Sequence, residues 1–301
     1  MFSVIIPTCN RPDLLTACLE RLAPGQQHEM LGPQRQAAAH AVDSPLPSRP
    51  VPAEDTRAVY EVIVTDDGRK NPAADLIRTR YPWVQWIPGP AVGPAANRNN
   101  GASHANGEWL VFFDDDCLPD RRCLPAYATF LRSDPPIDVI EGCILPEGKR
   151  SRVDQEAPVN ATGGYLWAAN FAIRRSLFEA IRGFDVRFPF PAMEDIDLRY
   201  RLECCGGRFA FLRDAVVYHP WRKKRGRTFI RQHTSSLLYF YNKHPELKPK
   251  ISVASETIRF LRTMKHDILP ASLKCHGLGG GRAVFLAVYD AVVRYRMLVL
   301  P

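Results

Sequence analysis

Phe112-Phe113-Asp114-Asp115-Asp116-Cys117 sets three consecutive carboxylates directly behind an apolar run that begins at Trp109. Such a run predicts a strand covered on both faces, and open α/β sheets collect their ligands at the carboxyl ends of strands of this kind. Three adjacent carboxylates repel one another and are stabilised by a cation, and hard oxygen donors suit Mg²⁺ or Mn²⁺. Side chains alternate along an extended chain, so Asp114 and Asp116 are expected to face one site. Read alone, the triplet also fits a solvated acidic turn or a helix cap.

Working outward, further short apolar runs lie at Val4 to Ile6, Glu61 to Thr65 and Val84 to Ile87. Helical patterns separate them: Leu14 to Leu22 after Pro12-Asp13, Ala73 to Arg80, and Ala95 to Ala105 ending at Asn106-Gly107. This alternation predicts an α/β fold, a mostly parallel central sheet flanked by crossover helices. One segment breaks the rhythm, since Pro24 to Pro52 holds six prolines and no sustained apolar period. It reads as a long surface loop inserted over residues 25–58. After Glu141-Gly142-Cys143-Ile144 and a polar stretch come Gly163-Gly164-Tyr165-Leu166-Trp167, then helices near Arg175 to Ile181 and from Glu194 to Cys204. Phe209 to Leu212 and Val216 to Tyr218 read as a last pair of strands.

Beyond Trp221 the pattern turns helical and basic, with helices expected at Thr228 to Tyr241, Ser255 to Lys265 and Arg282 to Met297. From Pro220 onward 16 Lys and Arg stand against 4 Asp and Glu, net +12; the preceding part, with 24 against 28, carries −4, and the whole chain +8. The basic tail is therefore a separate feature, either a solvated helical face or one that meets nucleic acid or an anionic membrane surface. Ala283 to Leu300, the best candidate span, is interrupted by Asp290, Arg294 and Arg296, short of the roughly 18 to 20 apolar residues a crossing requires. Without a leader-like start, the expectation is a cytoplasmic protein, with peripheral attachment at the inner face of the membrane open to the tail. The eight cysteines have neither zinc-site spacing nor the regularity of a disulfide framework, so reduced thiols are expected. At 301 residues and 46% hydrophobic content, the chain can bury a substantial core.

Two further strand ends carry polar turns. In Thr65-Asp66-Asp67-Gly68 the glycine permits a tight turn that presents a carboxylate to a base N–H or a ribose hydroxyl. Pro7-Thr8-Cys9-Asn10-Arg11-Pro12 offers backbone and short polar side chains to a nucleoside, although an ordinary helix cap has the same appearance.

Taken in order, these segments resemble the family 2 glycosyltransferases of the GT-A fold. The resemblance runs from about Phe2 to Trp221. It rests on Ser3 to Arg11, Val62 to Gly68, Ala96-Asn97-Arg98-Asn99-Asn100-Gly101-Ala102, Gly107 to Asp116, Arg182-Gly183-Phe184-Asp185 and Glu194-Asp195-Ile196-Asp197-Leu198. It implies a GT-A domain over 1–221, with a nucleotide-sugar-binding half over 1–116 and an acceptor half over 117–221, followed by a basic helical extension over 222–301. By the same resemblance Pro7, Thr8, Asn10 and Arg11 line the base and ribose pocket, Asp67 or less readily Asp66 reads the base, and Arg98 lies near the nucleotide. Asp114 and Asp116 match the ends of the Asp-x-Asp motif that holds Mn²⁺ or Mg²⁺ against the diphosphate, with Asp115 between them. His219 stands where some GT-A enzymes return a histidine to the metal. Asp195 matches the base that acts on the acceptor hydroxyl, with Glu194 beside it, while Gly164, Tyr165 and Trp167 are placed to meet the acceptor sugar.

The implied reaction is an inverting transfer from a nucleotide diphosphate sugar, a uridine diphosphate sugar by preference, to a glycan or lipid-linked glycan; no nucleic-acid partner is implied. A haloacid-dehalogenase-like phosphatase also carries Asp-x-Asp after an apolar strand, but it leaves the other polar turns unexplained. A nucleotidyltransferase would need a glycine-rich basic loop after the first strand, which is absent. A non-catalytic nucleotide-sugar-binding protein is the third alternative.

Overall fold

The computed structural model describes residues 1–27, 59–69, 73–133 and 135–299. Most of the predicted 25–58 insertion therefore lies outside the described residues. Four parallel strands, β1 (Phe2–Thr8), β2 (Tyr60–Asp66), β3 (Val84–Pro88) and β4 (Trp109–Phe112), form one half of an eight-stranded sheet in the order β3-β2-β1-β4. Parallel neighbours need crossovers. Helices α1 (Pro12–Leu22), α2 (Ala74–Arg80) and α3 (Pro94–Ser103) lie along the chain between successive strands.

Alternation along β1 explains its unbroken apolar run. Val4 and Ile6 join the core on one face of the sheet with Leu15, Leu19 and Val111, while Ile5 joins that on the other with Ile63, Leu110 and Phe112. Phe112 sits in an aromatic group, its ring 5.0 Å from Phe171, 5.3 Å from Phe178 and 5.4 Å from Phe184. Both faces are thus filled by apolar contacts.

The chain then forms β5 (Leu118–Pro119), α4 (Cys123–Arg132), β6 (Val139–Pro146), β7 (Gln155–Glu156), β8 (Phe171–Arg174), α5 (Arg175–Ala180), α6 (Glu194–Cys204) and β9 (Phe209–His219). These extend the sheet as β4-β8-β6-β9-β5, with β8 antiparallel to β4 and to β6, and β6 parallel to β9. The sequence reading supplied no helix at α4 and no strand at β8, whose four residues run straight into α5. It also divided β9 in two. In the structure β9 is one strand whose register with β6 shifts after Gly142, Leu212 facing Gly142 and Val216 facing Cys143. The three extra residues form a bulge. Asn170 fills it, its Nδ2 donating to the carbonyls of Cys143 (2.9 Å) and Ala215 (2.8 Å). Gly142 leaves the room for this, since a Cβ there would lie 2.2 Å from Asn170 Nδ2.

After β10 (Arg222–Lys223), which pairs with β7, the chain is helical: α7 (Arg227–Lys243), α8 (Val253–Thr263), α9 (Leu269–Lys274) and α10 (Gly280–Leu298). A π-turn over Met264–Ile268 joins α8 to α9 just before Pro270, whose missing N–H an α-helical ladder would not tolerate. α7 is tied to α6 through Asp197, fully buried, which accepts from Lys243 Nζ (2.6 Å), His244 Nε2 (2.8 Å) and Arg201 Nε (2.7 Å). All eight cysteines are unpaired. Among the described residues no helix is long and apolar enough to cross a membrane.

Candidate active site

The parallel strands deliver their carboxyl ends to one edge, and a cleft of about 1120 Å³ opens there. Its floor begins with Pro7 and Thr8 at the end of β1 and continues through Asn10 and Arg11. Asn10 adopts a left-handed backbone with φ 56°. Asn97 of α3 holds two strand ends together, donating from Nδ2 to the carbonyls of Thr8 (3.3 Å) and Thr65 (3.0 Å).

The two acids after β2 have separate fates. Asp66 is buried, accepting the backbone N–H of Gly68 and of Ala73, each at 2.7 Å, and it shapes the turn. Asp67 lines the cleft and accepts the Ala91 N–H at 2.7 Å; burial raises its pKa. The acidic triplet is sorted in the same way. Asp114 and Asp116 line the cleft, whereas Asp115 is fully buried away from it. Asp115 accepts from Thr8 Oγ1 at 2.7 Å and pairs with Arg11 at 2.5 Å, and burial nevertheless pushes its carboxyl up to about 7. The expected sharing of one site by Asp114 and Asp116 is seen, but through a turn closed by Cys117 N–H onto the Asp114 carbonyl at 3.1 Å rather than by strand pleating.

His219 ends β9, which carries it to Asp116: Nε2 lies 3.3 Å from Asp116 Oδ1. Its Nδ1 lies 2.8 Å from the Pro220 carbonyl, which can only accept; Nδ1 therefore bears the proton. Burial opposes ionisation of Asp116, yet the His219 imidazole, with Arg11 and Arg222 nearby, holds its carboxyl down to about 2 when Nε2 also carries a proton to donate; without that proton Nε2 is the ring atom open to an ion. A carboxylate and an imidazole set this close, with the ring fixed from behind, fit a divalent ion. Among the described residues no group of three or more His, Cys, Asp or Glu gathers into a complete metal cage. Such a pair would leave coordination positions to a ligand's own oxygens.

Arg98, buried on α3, donates to Asp114 Oδ1 (2.7 Å) through Nη2 and to Glu194 Oε1 (3.1 Å) through Nη1. Burial disfavours its charge, but Asp114 and Glu194 outweigh that and raise its pKa. Glu194 and Asp195 open α6 after Met193, a non-glycine residue at φ 71°, and all three line the cleft. Among the described residues Glu194 Oε2 is buried without a hydrogen-bond partner. Burial, then the Glu194 charge beside it, pushes the Asp195 carboxyl up to about 7.

Trp167 lines the cleft; Tyr165 and Gly164 do not. Tyr165 is exposed and lies against Trp167 with the rings tilted by 31° and their centroids 4.7 Å apart. Gly164 takes a left-handed turn, φ +98°, so that the N–H groups of Gly164, Tyr165 and Leu166 converge at 2.9, 2.9 and 3.0 Å on Glu141 Oε2. The glycine pair thus builds a nest for an internal carboxylate. Sequence reasoning missed Arg222, Arg225, Phe229 and His233, which close the cleft from β10, the link that follows it and α7. Arg222 and Arg225 registered in the sequence only as part of the basic tail's net charge, and Phe229 and His233 only as members of an expected helix. The Arg225 guanidinium lies 3.3 Å from the Phe229 ring centroid, and burial beside Arg222 lowers its pKa to about 10.

Against known proteins, the family model described as "Glycosyl transferase family 2" matches residues 41–182. An alignment of 315 residues gives 23% identity to validoxylamine A glucosyltransferase of Streptomyces hygroscopicus subsp. jinggangensis, covering 86% of this chain and 67% of that protein. Identity is 28% over 179 residues to the N-acetylglucosaminyl-diphospho-decaprenol L-rhamnosyltransferase of Mycobacterium tuberculosis, covering 56% of each. The fold is similar to that of a mannosyltransferase from Pyrobaculum calidifontis solved with GDP-Man and Mn²⁺, with a TM-score of 0.58, 16% identity, and coverage of 99% of this chain and 87% of that one.

Proposed function

This chain is a family 2 glycosyltransferase with the GT-A fold, and from that premise we propose an inverting transfer of a sugar from a nucleotide diphosphate donor to a hydroxyl of a glycan or lipid-linked glycan. The observation that carries the reading is the Arg98 bridge, one buried guanidinium joining Asp114 to Glu194. It couples the acidic turn after β4 to the first turn of α6, the two elements the reaction must hold at a fixed separation.

In this reading residues 1–116 bind the donor, residues 117–221 receive the acceptor, and 222–301 form a basic extension. The base and ribose rest against Pro7, Thr8, Asn10, Arg11 and Asp67. Asp116 and His219, with Asp114 beside them, are the residues that would hold Mn²⁺ or Mg²⁺. When bound, that ion neutralises charge on the departing diphosphate. Arg222 and Arg225 add fixed positive charge on the same side of the cleft.

Asp195 takes the proton of the acceptor hydroxyl as its oxygen attacks the anomeric carbon. The new carbon–oxygen bond forms while the bond to the diphosphate breaks, and the electron pair leaves on the diphosphate oxygen. One displacement from the opposite face inverts the anomeric centre. Glu194, with Oε2 free to accept, orients the acceptor, and a Trp167 ring face supports its sugar.

The mycobacterial relative, a diphospho-decaprenol rhamnosyltransferase, supports a lipid-linked acceptor, and the neighbour bound to GDP-Man and Mn²⁺ supports a metal-assisted nucleotide-sugar donor. Incubation with a panel of uridine, guanosine and thymidine diphosphate sugars, with mass spectrometry of products, tests the reading. Release of nucleoside diphosphate that depends on Mn²⁺ and Asp195 is expected. Release of inorganic phosphate from para-nitrophenyl phosphate, with no turnover of any donor, would overturn it.

A further inference from the structure

Ten of the eighteen large apolar side chains exposed among the described residues lie between Val253 and Val299. They are arranged by helix geometry. On α8 and α9, Ile258, Leu261, Leu269 and Leu273 recur at intervals of three, eight and four, and Leu273 is 83% exposed. On α10, Phe285, Val288 and Val292 follow at three and four, which places them on one face. The inner faces are occupied separately: Ile268, Ala271, Cys275 and Ala283 form a small core with Val153. The outer rows are therefore surplus to folding.

The free charges around these rows have one sign: Arg262, Lys265, Lys274 and Arg296 are exposed. The three acids of the same stretch are all engaged by cations: Glu256 is buried against Arg259 and Arg294, Asp267 pairs with Arg150 and Lys224, and Asp290 pairs with Arg259. Apolar rows bordered only by free cations complement a surface that is apolar inside and anionic outside.

We infer that α8, α9 and α10 seat the protein on an anionic lipid bilayer, with Leu261, Leu269, Leu273, Phe285 and Val292 entering the interface and Lys265, Lys274 and Arg296 meeting lipid phosphates. α10 packs on α7, where Arg231 donates to the Tyr289 hydroxyl at 2.7 Å, and α7 supplies Phe229 and His233 to the cleft. A docked bundle would hold that side of the cleft near the membrane plane. This deepens the acceptor half of the proposed reading, while its test needs neither donor nor acceptor.

The test is flotation of the full chain with phosphatidylcholine vesicles, with and without phosphatidylglycerol. The wild type should float with the anionic vesicles at low salt, remain behind with phosphatidylcholine alone, and detach as salt screens the charges. Leu273→Asp and Phe285→Asp, both at exposed positions, should each cut partitioning at least tenfold. Lys265→Gln and Lys274→Gln should each cut it about fivefold, from about 1 kcal/mol per cation. Unchanged melting temperatures verify that the variants fold. The inference is overturned if the wild type ignores anionic vesicles, if the Asp variants float as the wild type does, or if light scattering finds a dimer that those variants dissociate.

Discussion

Asp195→Asn separates two consequences of one carboxylate. The substitution keeps size and hydrogen-bonding shape but removes the ability to take a proton, and general-base catalysis is worth about 10² to 10⁴ in rate. Transfer should fall by that factor while donor affinity in Mn²⁺ stays within about twofold. Stability should move the other way. The rise of the Asp195 pKa from an ordinary 3.8 to about 7 means that the folded chain holds this proton more tightly than the unfolded one. At about 1.36 kcal/mol per pH unit, keeping it ionised costs the folded state at most about 4 kcal/mol, and about 2 to 3 once the side open to the cleft is credited with water. Below about pH 4 both states are protonated, and variant and wild type should unfold alike. As pH rises toward and through 7 the wild type loses this stability and the variant does not. Urea titrations at pH 4 and pH 8 read the difference, and the pH profile of the wild-type rate should rise through about 7 as the base ionises. An Asn variant with near-normal turnover, or one no more stable than the wild type at pH 8, would refute the reasoning.

Other substitutions test the remaining parts of the site. Asp116→Ala should raise the donor Kd at least tenfold in Mn²⁺ and much less in its absence, by calorimetry, because the ion loses a carboxylate ligand. Arg98→Gln should lower stability by about 3 to 5 kcal/mol in urea denaturation, since Asp114 and the buried Glu194 would face each other without their shared cation. Gly89→Ala should weaken donor binding more than turnover: its Cβ would stand 2.2 Å from Asp67 Oδ1 and 2.4 Å from Asn97 Oδ1, displacing the proposed base-reading carboxylate. Equal KM values for Gly89→Ala and the wild type would remove Asp67 from the donor pocket.

The strand half of the fold was legible because the inner parallel strands are covered on both faces and so write themselves as unbroken apolar runs, as Val4 to Ile6 does, while β3 at the sheet edge keeps a run broken only by exposed Gln85. β9 was not, because its bulge at 213–215 interrupts the apolar run with Arg213 and Asp214, and the residue that repairs the bulge, Asn170, lies on a different element. Gly164 is expected at the acceptor, yet its left-handed backbone serves Glu141, a partner more than twenty residues earlier that no local pattern announces. Arg222, Arg225, Phe229 and His233 were hidden differently, inside a segment whose net charge drew attention away from its individual side chains.

Acidic residues show the general limit most clearly. Asp66-Asp67, Asp114-Asp115-Asp116 and Glu194-Asp195-Ile196-Asp197 each stand at the edge of the cleft, and in each the acids divide between cleft and framework. What divides them is the location of a donor supplied from elsewhere in the chain. Asp66 is claimed by backbone N–H groups, Asp115 by Thr8 and Arg11, and Asp197 by Lys243, His244 and Arg201. Asp67, Asp116 and Asp195 retain a side toward the cleft. A buried carboxylate is tolerable only when its charge is met. Within each cluster the framework acid is therefore the one whose donors the fold brings within hydrogen-bond reach, and spacing alone cannot name it. Asp197 sits two residues from Asp195 on the same helix, yet its Asn variant should lose stability at neutral pH where Asp195→Asn gains it, because the Lys243 and Arg201 cations would then face a neutral amide. Urea midpoints of the two variants at pH 8 that moved in the same direction would show that the division between base and framework has been drawn in the wrong place.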